Sequence, residues 1–443
     1  MKILNVILTL CCASFFSACI DISSDSTVFI TNNSAVDFRI NVNVLSDESP
    51  GFMLLDDELA AYEAKPILRL ERASGLNPGQ DYALDIVLTG NSGEEVVLSQ
   101  KLLAENEDHE LNFSIEAQDI NPAHRQDNAL YRYDAKLNQD DEVSTSLAFK
   151  AEDIGRYKDV FYAITPNPKS STPSDNANQL SLITYNVWAL PPISTQIAER
   201  LEAIPQHLSG VDVIVFQELF ASERTAFLQT LSAEYPYQTR MLDKPGANVH
   251  DGGVTIISRY PIVTQDQFIF PDCSAADCLA DKGINYAEII KNGRAYHIFA
   301  AHMASFDTAI ARSNRQKQFT QMRNFALSQN IPASETVIYA GDLNVNKLKF
   351  ADDYQQMLAT LRSIPPQFIG YSTATFDPEI NILATTPLSG SDERQYLDYV
   401  LISQEYLAPE TNTNDVFIPR SDAEKFWQLW DLSDHFPVKA DIQ

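Results

Sequence analysis

Val337-Ile338-Tyr339-Ala340-Gly341-Asp342-Leu343-Asn344 is the stretch on which the reading of this chain turns. Four apolar residues, β-branched at the start, make a run too short for a helix and suited to a buried strand. The run stops at Gly341 and is followed at once by Asp342 and Asn344. The same arrangement recurs on both sides. Leu182-Ile183-Thr184-Tyr185 leads to Asn186, Val211 to Phe216 leads to Gln217 and Glu218, and His297 to Ala301 leads to His302. Leu397 leads to Asp398, and Leu432-Ser433 leads to Asp434-His435 before Phe436-Pro437.

Each polar residue has a structural explanation when taken singly. Asn186 can cap a turn, Glu218 can cap a helix, and Asp342 after a glycine can be a turn aspartate. Together they are harder to dismiss. Strand ends on one side of an α/β sheet converge, and ligands of such sheets sit there. Convergence gathers carboxylates, amides and imidazoles in one cleft. Hard cations such as Mg²⁺ take oxygen ligands, and an imidazole near neutral pKa can move a proton. That set suits phosphodiester chemistry. No Gly-rich phosphate loop with Lys and no Gly-x-Ser-x-Gly elbow is present, and no His-x-x-x-His pair favours zinc.

Working outward, Val254 to Ile257, Ala287 to Ile290 and Tyr399 to Ile402 are further strands. Lys291-Asn292-Gly293-Arg294 reads as a hairpin turn, so the sheet is mixed. Gln196 to Leu208 and Thr308 to Ser328 carry helical spacing. Residues 180–443 therefore read as an α/β sandwich. Residues 26–162 have a different texture, with alternation over Phe38 to Val44 and Leu111 to Ile115, and read as a smaller β-sandwich. His109 and His124 in it are isolated and carry no site. Residues 163–179, rich in Pro, Ser and Asn, read as a linker.

The chain has 443 residues, enough for two domains, and a formal net charge of -28. That balance is a poor match for nucleic acid, whose binding needs Lys and Arg. It disfavours an anionic membrane but not a zwitterionic one. Residues 1–19 read as an export leader: Lys2, an apolar stretch to Phe16, then Phe16-Ser17-Ala18-Cys19, a lipobox-like run with Cys19 as the acylated residue. Free secretion after ordinary cleavage is the alternative. No segment is long and apolar enough to be a transmembrane helix. Cys273 and Cys278 read as a disulfide, an even pair in an exported chain.

These residues also carry a family likeness. Thr184-Tyr-Asn186-Val-Trp188, Phe216-Gln-Glu218, Gly252-Gly253 through Pro261, Ala301-His302, Gly341-Asp342-Leu-Asn344, Tyr396-Leu-Asp398 and Ser433-Asp434-His435-Phe-Pro437 resemble, in order, the motifs of the endonuclease/exonuclease/phosphatase (DNase I-like) superfamily. Asp281-Lys282-Gly283, Arg315-x-x-Gln318-x-x-x-Met322-Arg323 and Ala374-Thr-Phe-Asp377 are similar to its bacterial sphingomyelinase C branch. The resemblance implies a four-layered α/β sandwich and Mg²⁺-dependent hydrolysis of sphingomyelin to ceramide and phosphocholine. Mn²⁺ or Co²⁺ would be substitutes. It implies that Glu218, with Asn186 and Asp434 nearby, holds the metal. His435 would be the general base, oriented by Asp398. His302 and Asn344 would bind phosphate oxygens, and Asp342 would orient the nucleophile or assist the leaving group. An outer metal is expected only if His250 and Asp251 serve in place of the usual acidic pair. The long aromatic hairpin of that branch is short here, and Phe426-Trp427-Gln-Leu429-Trp430 either touches lipid or packs on the core. The expected partner is a choline phospholipid surface, not nucleic acid, and the expected state is a monomer. An extracellular nuclease on the same scaffold and an inactive lipid-binding lipoprotein are the rival readings.

Overall fold

The computed structural model describes residues 26–443 except 48, 50, 71–80, 106–109, 117–128, 137–143, 155–156, 169–171, 247 and 387–390. The leader with Cys19, and His109 and His124, lie outside the described residues. The chain divides after Ile164 into two compact units.

In the N-terminal unit a six-stranded and a five-stranded sheet share one core. Val28 and Ile30 of Ser26–Asn32 and Tyr162 of Tyr157–Pro166 come from the first. Ile40 of Phe38–Val44 and Leu84, Ile86 and Leu88 of Asp81–Gly90 come from the second. Strict alternation of buried and half-buried residues along Ser26–Asn32 is what a one-sided core demands.

The second unit contains strands β1 (Leu180–Ala189), β2 (Val213–Leu219), β3 (Tyr237–Gln238), β4 (Thr255–Ser258), β5 (Ile262–Ile269), β6 (Gly283–Lys291), β7 (Arg294–His302), β8 (Thr336–Asp342), β9 (Ser363–Ile364), β10 (Gln367–Gly370), β11 (Asp398–Ser403), β12 (Asn412–Val416) and β13 (Val438–Ile442). Its α-helices are α1 (Ile197–Ala203), α2 (Arg224–Leu231), α3 (Ala309–Ser328) and α4 (Ala351–Leu361). One sheet runs β3-β4-β2-β1-β13-β12-β10, the other β5-β6-β7-β8-β11-β9. Both are mixed: β1 with β2 and β7 with β8 are parallel, while β8 with β11 and β1 with β13 are antiparallel.

Alternation along strands buried on both faces builds the layers. Leu182, Val213, Val215 and Ile256 of one sheet share a core with Ile298, Ala300, Ile338 and Val400 of the other. Their sequence neighbours Ile183, Ile214 and Phe216 face outward onto Leu201 of α1 and Phe227 of α2. Phe299 and Tyr286 meet Phe325 of α3 on the opposite outer face. The order is helices, sheet, sheet, helices.

Two expectations need correction. Ala163 to Pro166, assigned above to a linker, finish the strand Tyr157–Pro166, because Ala163 and Ile164 pair in register with Thr31 and Asn32. The far end of that segment is also tied down: Asn292 donates to the Asp175 carbonyl (2.6 Å) and the Tyr296 hydroxyl to the Ala177 carbonyl (2.7 Å). The turn alternative weighed for Asp342 falls away, since the residue ends β8. Finally, Asp398 opens β11, and His435 precedes β13, so neither follows the end of a strand. Their strands run antiparallel to β8 and β1 and reach the same edge from the other direction.

Candidate functional site

The parity that packs the core also aims the site. Leu182 faces the inter-sheet core, so Asn186 on the same strand face does too. Ile298 and Ala300 set the direction of His302, Ile338 and Ala340 that of Asp342, and Val400 and Ile402 that of Asp398. The site is where the inter-sheet layer changes from apolar to polar.

Glu218 is the exception. Val213 and Val215 face the inter-sheet core while Ile214 and Phe216 face the helices, so alternation sends Glu218 toward the helices. Its φ of 55° breaks the alternation. Leu219 now packs on the helix side, and Glu218 turns into the site, where its Oε1 accepts from Asn186 Nδ2 at 3.1 Å. Asn344 has the same left-handed backbone (φ 54°), which costs a side-chain-bearing residue free energy and is common at working sites. Between them Gly341 (φ 142°) admits no substitute, because a Cβ there would lie 1.9 Å from the Ala301 carbonyl oxygen.

Asn186, Glu218, His302, Asp342, Asp398, Asp434 and His435 come together. Asn186 Nδ2 also donates to Asp342 Oδ2 (3.1 Å), and its oxygen accepts from the Trp188 amide (3.0 Å). His302 Nε2 lies 3.5 Å from Asp342 Oδ2 and 3.9 Å from Glu218 Oε1. His435 Nδ1 is 2.9 Å from Asp398 Oδ2, and its Nε2 is 3.9 Å from Asp342 Oδ2. Asn344 donates its amide N–H to Asp342 Oδ1 (3.1 Å) and its side chain to the Met303 carbonyl (3.3 Å).

The expected outer pair is otherwise engaged. Asp251 Oδ2 is 2.5 Å from Arg224, its Oδ1 accepts from the Gly253 amide (2.9 Å), and the His250 ring lies 5.3 Å from that of Phe220. Phe426 is fully buried in the helix-side core and Trp430 nearly so, so those aromatics of the short hairpin pack inward. Cys273 and Cys278 are bonded, 5.1 Å apart at Cα.

Three residues of the site were given no chemical role by the sequence. Lys282 Nζ lies 3.2 Å from His302 Nε2, donates to the Met303 carbonyl (2.9 Å) and the Ser305 hydroxyl (2.7 Å), and pairs with Asp277 (2.7 Å). Asp277 sits inside the disulfide loop. Arg200, wholly buried, donates to the carbonyls of Val187, Trp188 and Leu432 and so clamps the segments bearing Asn186 and Asp434. Asp281-Lys282-Gly283 was visible as a pattern, but nothing in it signalled that the ammonium would reach a histidine 20 residues on.

Electrostatics separate the two histidines. Burial, reinforced by the Lys282 ammonium and His435, drives the His302 pKa well below its ordinary value, so this ring is neutral. Burial also opposes charge on His435, but Asp398, Asp342 and Asp434 outweigh it and hold its pKa well above the ordinary value. Burial raises the Asp342 carboxyl to about 7, aided by Asp398. Burial raises Asp434 to about 7 as well, aided by Glu218. Carboxylates packed until two of them hold protons near neutrality form a donor set that fits a divalent cation. Asp342, Asp398 and His435 offer ligand atoms within 4.8 Å of one another, and Asp398 Oδ1 has no hydrogen-bond partner.

Residues 183–435 match the Endonuclease/Exonuclease/phosphatase family. Sphingomyelinase C of Bacillus cereus is 31% identical over 312 residues, covering 62% of this chain and 92% of that protein. The crystal structure of sphingomyelinase C from Streptomyces griseocarneus is 30% identical, covers 60% of this chain and 99% of its own, and superposes with a TM-score of 0.55. A doubly substituted Staphylococcus aureus beta toxin with bound magnesium ions is 29% identical over 59% of this chain and 99% of its own, with a TM-score of 0.55. The chain belongs to the endonuclease/exonuclease/phosphatase family, in its bacterial sphingomyelinase branch.

Proposed function

We propose that this protein hydrolyses sphingomyelin to ceramide and phosphocholine with Mg²⁺ as cofactor. The observation that carries the reading is the His435–Asp398 pair, 2.9 Å apart, facing Asp342 inside a buried excess of carboxylates, in a chain similar to sphingomyelinases over most of their length. Glu218, steadied by Asn186, would hold the cation together with neighbouring Asp434. When bound, Mg²⁺ neutralises charge developing on a phosphoryl oxygen and offsets the carboxylate field that keeps His435 protonated.

Asp398 accepts a hydrogen bond from Nδ1–H of His435 and so leaves Nε2 to take a proton from the attacking water. The water oxygen bonds to phosphorus as the phosphorus–oxygen bond to ceramide breaks, and the ceramide oxygen receives a proton. Asp342, with a pKa of about 7 in the metal-free chain, is placed to steady the water or supply that proton. Neutral His302 and Asn344 bind phosphoryl oxygens, and the Lys282 ammonium, held by Asp277, Met303 and Ser305, positions the His302 ring. Mn²⁺ or Co²⁺ would substitute for Mg²⁺. The chain works as an exported monomer, lipidated at Cys19 or freely secreted, with the Cys273–Cys278 disulfide formed outside the cytoplasm. Among the described residues no helix is long and apolar enough to cross a membrane.

The test is phosphocholine release from sphingomyelin liposomes, with Mg²⁺ and with EDTA, beside plasmid nicking. Mg²⁺-dependent release without nicking is expected. Nicking without release would move the substrate to nucleic acid.

A further inference from the structure

The loops that leave β7 and β8 end at exposed apolar side chains. Phe306 lies four residues after His302 and is 50% exposed; Ile310, in the first turn of α3, is 67% exposed; Leu348, four residues after Asn344, is 50% exposed. β7 and β8 are parallel neighbours, with His302 opposite Asp342. The two loops therefore spring from the same edge as the site. They stay together beyond it: Arg312 of α3 pairs with Asp353 of α4 (2.6 Å), and its guanidinium lies 4.0 Å from the Phe350 ring centre.

The Phe306 loop is held rigidly in an unfavourable shape. Phe306 has a φ of 69°, and a bulky residue adopts that only when its surroundings enforce it. Arg315, buried to 1% exposure, enforces it by donating to the carbonyls of Ala304 (2.9 Å) and Phe306 and pairing with Asp307 (3.2 Å). From the other side the Ser305 amide donates to Asp277 (2.9 Å) and its hydroxyl accepts from Lys282 (2.7 Å). Leu348 is fixed in turn by a side-chain bond from its amide to Asn346 (3.1 Å). Free energy is thus spent to hold an aromatic ring in solvent, beside the site.

We infer that Phe306, Ile310 and Leu348 form a docking surface that inserts into the interfacial zone of a zwitterionic phospholipid bilayer and seats the site on its substrate. The inference rests on the phospholipid reading above. A phosphodiester headgroup lies at the bilayer surface, so the strand ends that hold the reacting residues must approach that surface, and the apolar tips on the same edge would enter it. Charge selects the kind of bilayer. The formal net charge is -28, and the cations bordering the patch are already engaged, Arg312 with Asp353, Lys349 with Glu393, and Lys347 over the Phe368 and Tyr396 rings. An anionic surface finds repulsion there, and an uncharged one does not.

The test uses the full, non-acylated chain and its Phe306→Ser/Ile310→Ser/Leu348→Ser variant. Sedimentation with sphingomyelin–phosphatidylcholine vesicles in EDTA reads binding, and hydrolysis of a water-soluble phosphocholine ester with Mg²⁺ reads chemistry. About half of each side chain entering the interface predicts a loss of vesicle affinity of about a hundredfold. Ester turnover should stay within about twofold of the parent, and Leu327→Ser, at the far end of α3, should change neither. Equal vesicle binding by parent and triple variant overturns the inference and leaves the patch to a protein partner. Parallel loss of ester turnover also overturns it, by showing that these residues shape the site. A parent that binds vesicles but cleaves neither lipid nor ester overturns the phospholipid chemistry and leaves the docking surface standing.

Discussion

The two ends of the same pair of sheets both bury charge, and they do so in opposite ways. At the end where β2 begins and β6 finishes, Asp212 (1% exposed) meets Lys291 (0% exposed) at 2.7 Å, one carboxylate to one ammonium. Asp212 also accepts from the Ser181 amide at 2.8 Å. At the other end Asp342, Asp398 and Asp434 crowd around the one imidazole, His435, that holds a proton, and Glu218 adds its charge beside Asp434. The nearest strong cations there have other partners: Lys282 pairs with Asp277, and Arg200 donates to main-chain carbonyls. Balanced burial gives a structural pair. Unbalanced burial is tolerated where a ligand restores the balance, and here the missing charge is that of a divalent cation.

The comparison can be broken most directly by mutation at both ends. Glu218→Gln and His435→Gln should each reduce phosphocholine release by about a thousandfold with the circular dichroism spectrum unchanged. Glu218→Gln should in addition abolish the rise in melting temperature that Mg²⁺ gives the parent. Turnover retained in both variants would remove the site from this end of the sheets.

Asp212→Asn or Lys291→Met should instead cost about 3 kcal/mol in urea unfolding by leaving one charge buried alone. The double variant should recover part of that loss. Turnover per folded molecule should be that of the parent in all three. A specific loss of turnover would mean that the balanced end is also functional.

The unbalanced end should betray itself in the pH dependence of the metal-free protein. Asp342 and Asp434 hold protons to about pH 7 when folded and release them near pH 4 when unfolded. Between those values the folded chain binds more protons, so their contribution to stability is full below about pH 4 and is lost as pH rises through about 7. In EDTA, Asp434→Asn should therefore gain stability over the parent at pH 8 and show little difference at pH 4. Urea midpoints across that range check it, and a constant difference would show that the carboxylate is already balanced.

Much of this site was legible because parity and polarity coincide. Runs such as Val337 to Ala340 can only be buried strands, and a polar residue at the end of one is anomalous in a core. That reasoning found Asn186, His302 and Asp342. It could not give direction. Asp398 and His435 reach the site on antiparallel strands, and Glu218 does so by a left-handed residue that breaks the alternation used to find it. Charges acting at long range were also beyond it. Lys282 and Arg200 sit in ordinary-looking sequence, and their partners are fixed only when distant segments meet. The linker reading failed at its first residues because low complexity says nothing of pairing with Thr31 and Asn32.

The gentlest test lies between the balanced and the unbalanced regions, in the relay from Cys273–Cys278 through Asp277 and Lys282 to His302. Asp277 has the Lys282 ammonium at 2.7 Å on one oxygen and the Ser305 amide at 2.9 Å on the other. Asp277→Asn keeps the shape and removes the charge that holds Lys282 in place. It should lower kcat about tenfold with KM nearly unchanged, since Lys282 positions the His302 ring at the phosphoryl group and does not reach the lipid chains. Reducing the disulfide should have a smaller effect of the same kind, about threefold in kcat, with only a small change in the urea midpoint because the bridge closes a short loop. Lys282→Met should match or exceed the Asp277→Asn loss. Reduction or Asp277→Asn acting on an Lys282→Met background should add little. Additive losses would show that the disulfide loop and the ammonium act on the site separately.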